Sequence, residues 1–272
     1  MYIGPFQVLK WPELPGELGR AQHHNTHEEV FIKTEWLFPL AQEAYTLQAA
    51  AGGVGVPLLH WFETIDGKDV MITDTYGPTL EEAFCQSGRY FSMQNLLLLA
   101  DQLVSRLEFI HSRNIIHGNL NPLSFAFGGS VWQKQQVLLV DFNTDSGPDS
   151  TARNDLLAVG QILSYFYSSA DSWDQYQQQQ NQEATAPVLT NFLEAVSSHK
   201  NIDYCMLREI FHDAHYDLVL HLEIALDLKG PRVMRDNILP KIGALSAMKN
   251  ADLFGRLDTT LSHIGQLFCG DR

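Results

Sequence analysis

The sequence predicts an α+β chain: a small β-rich lobe followed by a large helical lobe. Two patterns carry that reading. Short runs that alternate apolar and polar residues fill the first part of the chain, and from Thr79 onward the apolar residues recur at helical spacing. A chain of 272 residues forms either one large domain or two small lobes, and it can bury a substantial core. The balance of apolar and charged residues is that of a globular protein. With a net charge of −14, a pI near 5.1 and no Lys/Arg cluster, nucleic acid and anionic membrane surfaces are poor partners. The longest apolar runs, Leu96 to Ala100 and Val137 to Val140, are far too short to span a bilayer. The N-terminus has no basic start followed by an apolar stretch, so no signal peptide is expected. Cys85, Cys205 and Cys269 form no metal or redox spacing and suit a reducing interior. Together these point to an intracellular protein, cytoplasmic or nuclear.

In chain order, residues 1–28 are rich in Pro, Gly and His and read as irregular; His23, His24 and His27 lack partners at ligand spacing and suit a solvated loop. Glu29 to Glu35 alternates its faces, which points Phe31 and Lys33 the same way. Pro39 can open an Ala-rich helix that stops at Gly52-Gly53. Strands are expected around Leu58 to Thr64 and Asp69 to Asp74, joined by a turn at Asp66-Gly67. Leu80 to Phe84 reads as a short helix. Ser92 to Ser112 reads as a long one with Ser92 as N-cap. Val137 to Val140 has a buried-strand pattern, and Asp155 to Tyr167 reads as an apolar helix. Gln175 to Gln182 reads as a polar surface loop, with helices resuming from Val188. Leu218 to Leu228 alternates like a strand, while its Leu/Glu/Ala content favours helix. Leu253, Leu257, Leu261, Ile264 and Phe268 make a helical stripe.

Several stretches stand in a recognisable order: Gly52 to Pro57 (GGVGVP), Trp61, Gly77 to Glu81 (GPTLE), Ala100-Asp101-Gln102, Arg106, Ile110-His111-Ser112, Asp155-Leu156, Asp203-Tyr204 and Leu207-Arg208 to Phe211. From about Val30 to Tyr216 the chain resembles the casein kinase I family of protein kinases. The resemblance implies a two-lobed protein-kinase-like fold with an N-lobe over residues 1–76, a hinge near Asp74 to Tyr76, and a C-lobe over 77–216. Residues 217–272 form an expected helical extension with no family counterpart.

The resemblance also implies that the chemistry is gone. Kinase catalysis needs a loop over the phosphates, a Lys–Glu pair, metal-holding groups and a base. Lys33 in VFIK and Glu43 match the Lys–Glu pair, and Asp141 in Asp141-Phe142-Asn143 matches the metal-binding Asp, so these three are the remnant of a nucleotide site. An ion pair that only ties strand to helix would use Lys33 and Glu43 equally well. Counting back from Lys33, the glycine-rich loop falls on Trp11 to Gly16 and keeps only its last glycine. In the catalytic loop Asn119 stands for the catalytic Asp, and an amide is not a base; general-base loss alone costs about a hundred- to ten-thousand-fold. Asn121 stands for the phosphate-facing Lys, Ser124 for the second metal ligand, and Gly118 for the Arg that grips the activation segment. No catalytic residue and no metal site are therefore expected. His117, Phe142 and Asp155 are expected to be structural. From Asn143 to Arg153 there are only eleven residues before Asp155, a shortened activation segment.

Phe31 stands for the small residue above the adenine, and Ala126 for the larger one below it. The exchange conserves volume, and the expectation is that Phe31 fills the adenine space. The implied function is a catalytically inactive pseudokinase acting as a protein-interaction or regulatory scaffold, with no cofactor, and with an active kinase of the same family as a candidate protein partner. The alternative is a divergent serine/threonine kinase that keeps ATP and Mg binding and weak phosphoryl transfer; a nucleotide sensor without turnover is a third reading.

Overall fold

The computed structural model describes residues 1–14, 17–34, 40–129, 135–142, 150–179 and 186–227, the last of these by backbone alone beyond 219. The chain divides into two compact units. The first comprises Met1–Ala83 and Ser105–Ala158, and the second comprises Phe84–Val104 with the described residues from Val159 onward.

The first unit is built on a curled antiparallel sheet of six strands: β1 (Tyr2–Ile3), β2 (Phe6–Lys10), β3 (Gly19–His23), β4 (Glu29–Thr34), β5 (Leu59–Ile65) and β6 (Lys68–Asp74). Their order across the sheet is β1-β2-β3-β4-β6-β5. One face of β4 is buried through Val30, Ile32 and Thr34, and it packs with Ile3, Phe6, Ala21, Val70 and Ile72 into a core that also takes up Trp11 and Ile65. The sheet ends curl toward each other. Gly4, at φ +51°, brings its backbone so close to the Trp61 indole of β5 that a Cβ there would lie 2.7 Å from the ring. Phe6 also meets His60 edge to face, with centroids 5.9 Å apart. Asp66 and Gly67, both at positive φ, form the two-residue turn expected between β5 and β6.

The N-terminal stretch corrects one expectation, because residues 1–28 are not irregular: β1, β2 and β3 lie there, and His23 belongs to β3. These strands are two to five residues long, with polar Lys10, Arg20 and Gln22 between the buried anchors, so no window shows sustained alternation.

Helix α1 (Leu40–Ala49) buries Leu40, Glu43, Ala44, Thr46 and Leu47. Its predicted start at Pro39 lies outside the described residues. Gly52, at φ +85°, follows the helix in the left-handed region that suits a C-terminal glycine. Beyond it, a Cβ on Gly53 would fall 2.1 Å from the Phe109 ring, and one on Gly55 would fall 1.9 Å from Arg106 Nε. That guanidinium is committed in turn to the Val137 carbonyl at 2.7 Å. The glycine-rich stretch therefore exists to let the chain pass against a long helix, α3 (Met93–Ser112), which carries both residues.

A second sheet of three strands, β7 (Tyr76–Thr79), β8 (Phe125–Gly128) and β9 (Val137–Leu139), completes the first unit with β8 in the centre. Helix α2 (Leu80–Gln86) starts on a capping box: the Thr79 amide donates to Glu82 Oε2 at 2.7 Å, and the Glu82 amide donates to Thr79 Oγ1 at 3.2 Å.

In the second unit, Ser92 caps α3 as expected, its hydroxyl accepting the Asn95 amide at 3.2 Å. Phe84, Phe91, Tyr165 and Phe166 form an aromatic cluster, the last two from α4 (Ala152–Ser168). Arg89 seals it, its guanidinium 4.9 Å from the Phe84 centroid and bonded to the Tyr165 hydroxyl. Helices α6 (Pro187–Ser198) and α7 (Tyr204–Asp227) pack through Phe192 and Phe211, with centroids 4.9 Å apart.

The Gln-rich run is the second correction. Trp173–Gln179 is helical (α5), so the run begins as helix rather than as loop. Ser172 caps it, accepting the Gln175 amide at 3.2 Å, and Tyr176 and Trp173 anchor it on Tyr165. Glutamine is a good helix former, and two aromatic anchors decide the matter over composition. The Leu218–Leu228 ambiguity resolves to helix as far as Asp227. The Leu253–Phe268 stripe lies outside the described residues. Among the described residues no helix is long and apolar enough to cross a membrane.

Candidate functional site

Alternation along β4 puts Phe31 and Lys33 together on the face opposite the sheet core, and both are half-buried there. Lys33 Nζ meets the two carboxylate oxygens of Glu43 at 2.7 and 2.6 Å, and it stands 3.9 Å from Asp141 Oδ1. The three residues singled out in the sequence thus lie together. Burial pushes the Glu43 carboxyl above its ordinary value despite the Lys33 ammonium; the Asp141 charge adds to the rise, and a hydrogen bond from the Phe142 backbone opposes it. One ammonium against two carboxylates leaves a net negative site.

The loop from His117 to Ser124 is closed upon itself. The carboxylate of Asp155, which is 1% exposed, accepts the His117 amide at 2.8 Å, the Gly118 amide at 2.8 Å and His111 Nε2 at 2.8 Å. His117 Nε2 donates to the Asp141 carbonyl at 2.6 Å, which places the ring proton on Nε2 and leaves Nδ1 to accept the Asn119 amide at 3.3 Å. His117 thus links this loop to the backbone of Asp141, and its ring lies 6.4 Å from that of Phe142.

The polar side chains of the loop serve the loop. Asn121 Oδ1 accepts the Leu123 amide at 2.8 Å, and Ser124 Oγ accepts the Asn121 amide at 3.1 Å. Ser124 is wholly buried. Asn119 is exposed. Gly118 adopts φ +77°, a conformation that disfavours any side chain.

Ala126 is wholly buried in β8, in register with Thr79 on one side and Leu138 on the other. The ring that meets Phe31 is that of Tyr76: their centroids are 4.9 Å apart and their planes lie at 75°. Burial, and then the charges of Glu43, Asp141 and Glu82, push the Tyr76 phenol above its ordinary range. Tyr76 was missed in the sequence; the signal was an aromatic residue directly before Gly77-Pro78.

In the stretch expected to replace the glycine-rich loop, Glu17 accepts the amides of Glu13 at 2.9 Å and Leu14 at 3.2 Å, and it pairs with Lys10 at 2.5 Å. Pro15 and Gly16 lie outside the described residues, as does 143–149, on which the shortened activation segment falls. Among the described residues no group of three or more His, Cys, Asp or Glu side chains is arranged to hold a metal ion. No protein-family model matches the chain.

Proposed function

We propose that this chain is a catalytically inactive, casein kinase I-like pseudokinase, an intracellular protein that acts as a protein-interaction or regulatory scaffold. The observation that carries the reading is the fate of the polar groups in the His117–Ser124 loop. Where a kinase needs a base, a cation and a metal ligand, this loop offers an exposed amide at Asn119. It spends Asn121 on the Leu123 amide and buries the Ser124 hydroxyl against the Asn121 amide. None of these groups can accept a substrate proton at neutral pH, and the buried hydroxyl is withdrawn from any metal. What is kept is what holds such a loop in place, His117 and Asp155, together with the Lys33–Glu43 pair between β4 and α1.

One observation favours the rival, a divergent serine/threonine kinase with weak transfer. Lys33 remains within ion-pair distance of both Glu43 and Asp141. A thermal-shift titration with ATP, with and without Mg²⁺ or Mn²⁺, separates the two. A ligand at a hundred times its Kd stabilises the folded state by about 2.7 kcal/mol. The scaffold reading expects no shift at millimolar ATP. A clear shift, accompanied by phosphoryl transfer that disappears in Lys33→Ala, overturns it.

A further inference from the structure

Phe31 on β4 and Tyr76 on β7 face each other beside the Lys33–Glu43 pair, edge to face, at 4.9 Å between centroids. A planar base sandwiched between two side chains needs about 7 Å between its walls, twice a contact distance of about 3.5 Å. It also needs those walls parallel, whereas these two rings stand at 75°. The backbone that carries the Tyr76 ring is closely packed. Gly129 lies so close that a Cβ there would sit 3.1 Å from the Thr75 carbonyl and 3.1 Å from Tyr76 Cα, and Gly77 lies just as tightly on the Phe127 carbonyl. On its other side the phenol lies in the field of Glu43 and Asp141, and with its raised pKa it stays neutral.

We propose that Tyr76 is the residue that decides what the space beside Lys33 admits: its ring, latched edge-on to Phe31, stands in for a purine base and excludes purine nucleosides. This rests on the kinase-like reading above, and it assigns the exclusion to a Phe31–Tyr76 pair rather than to the Phe31–Ala126 exchange. The latch is intramolecular, so it weakens nucleotide binding by a fixed factor whatever the protein concentration. It also makes a gain of function the natural test, because Phe31 and Tyr76 are the groups to be removed.

Adenosine is the probe, since it carries no phosphate and so does not depend on the lost phosphate loop or metal ligands. Thermal-shift titrations compare the full chain with Tyr76→Leu, with Phe31→Ala/Tyr76→Leu, and with Tyr76→Phe, which keeps the ring. The wild type and Tyr76→Phe are expected to show no shift at millimolar adenosine. The double variant is expected to show a saturable rise of roughly 3 °C at ten times Kd. If the double variant does not melt cooperatively, Tyr76→Leu alone is read by the same criterion. A shift in the wild type or in Tyr76→Phe overturns the latch, and so does a cooperatively folded opened variant that stays blind to adenosine. That last result leaves the inactive-scaffold reading intact, whereas phosphoryl transfer by the wild type removes that reading whatever adenosine does.

Discussion

Lys33 Nζ bonds both oxygens of Glu43, at 2.7 and 2.6 Å, yet burial still holds the Glu43 carboxyl above its ordinary value. Desolvation outweighs the attraction, because Glu43 is 6% exposed while Lys33 remains 33% exposed and in contact with water. The two halves of the pair are therefore unequal. Lys33→Met strands a buried carboxylate and is expected to cost about 2 kcal/mol, less than the roughly 3–5 kcal/mol of a fully buried pair because Lys33 is partly exposed. Glu43→Gln keeps a hydrogen-bond acceptor, sheds the charge, and is expected to cost under about 1 kcal/mol at pH 7.

The sign with pH follows from the raised value. Between 4.5 and the folded value the native state holds more of the Glu43 proton than the unfolded chain does. Stability from this group is therefore fullest below 4.5 and falls as pH rises through the folded value. Urea unfolding of the wild type and Glu43→Gln across pH 4 to 8 checks both points, and Glu43→Gln is expected to lack that component of the slope.

At Gly118, φ +77° imposes a cost on any residue with a Cβ. Gly118→Ala is expected to destabilise by about 1 kcal/mol, and Gly118→Arg, the residue implied at this place by the resemblance, by about 1–2 kcal/mol. Asn119→Ala is the contrast. Its side chain is exposed and only its backbone amide is used, so the change is expected to stay within about 0.5 kcal/mol. Chemical denaturation of the three variants ranks them. The exchange of Arg for Gly is thus tied to backbone conformation as well as to lost chemistry.

What the sequence made legible was local. The faces of β4 could be read because Val30 and Ile32 are buried and their neighbours are not, and Asp66-Gly67 because only a few residue pairs suit a turn with positive φ at both positions. Ser92 announced a helix by its own hydroxyl. Non-local determinants were hidden: Gly52-Gly53 reads as a C-cap signal, yet Gly53 and Gly55 also admit Phe109 and Arg106, more than fifty residues away. Tyr176 rescued a glutamine run as helix by packing on Tyr165, which no composition rule can see. In the site, the Lys33–Glu43–Asp141 set followed from the resemblance, whereas the partner of Phe31 did not. A strand-to-strand ring contact depends on the path of β7, and the sequence constrains that path weakly.

Asp155 is expected to be the most sensitive polar position in the first unit. Its buried carboxylate is the shared acceptor for two backbone amides and His111 Nε2. Asp155→Ala leaves those amides without an acceptor and is expected to cost about 3 kcal/mol or more. Asp155→Asn, which keeps one acceptor oxygen, is expected to recover part of that loss. Urea unfolding gives the energies. Hydrogen exchange gives the location: protection at the amides of His117 and Gly118 is expected to fall further than at Leu103 or Val104, in the interior of α3.

The His60–Asp74 pair joins β5 to β6 at 2.6 Å, and the Leu58 amide also donates to Asp74, at 2.9 Å. The hydrogen bond that His60 donates to the Asp74 carboxylate raises the His60 pKa above 6.5, against an opposing desolvation. Burial would raise Asp74, but the His60 hydrogen bond, the Leu58 amide and the imidazolium charge together bring it below 3.8. The His60 contribution is complete below 6.5 and is lost as pH rises through its folded value. The Asp74 contribution is present above 3.8 and is lost as pH falls through its folded value. Both are in place between about pH 4 and about pH 6. His60→Gln is therefore expected to cost most near pH 5 and progressively less toward pH 8. The largest difference should stay under about 1 kcal/mol, because both side chains are roughly a third exposed. Urea midpoints of the wild type and His60→Gln at pH 5, 6.5 and 8 test it. A difference that stays constant with pH would mean that packing against Phe6, rather than the charge pair, is what His60 supplies.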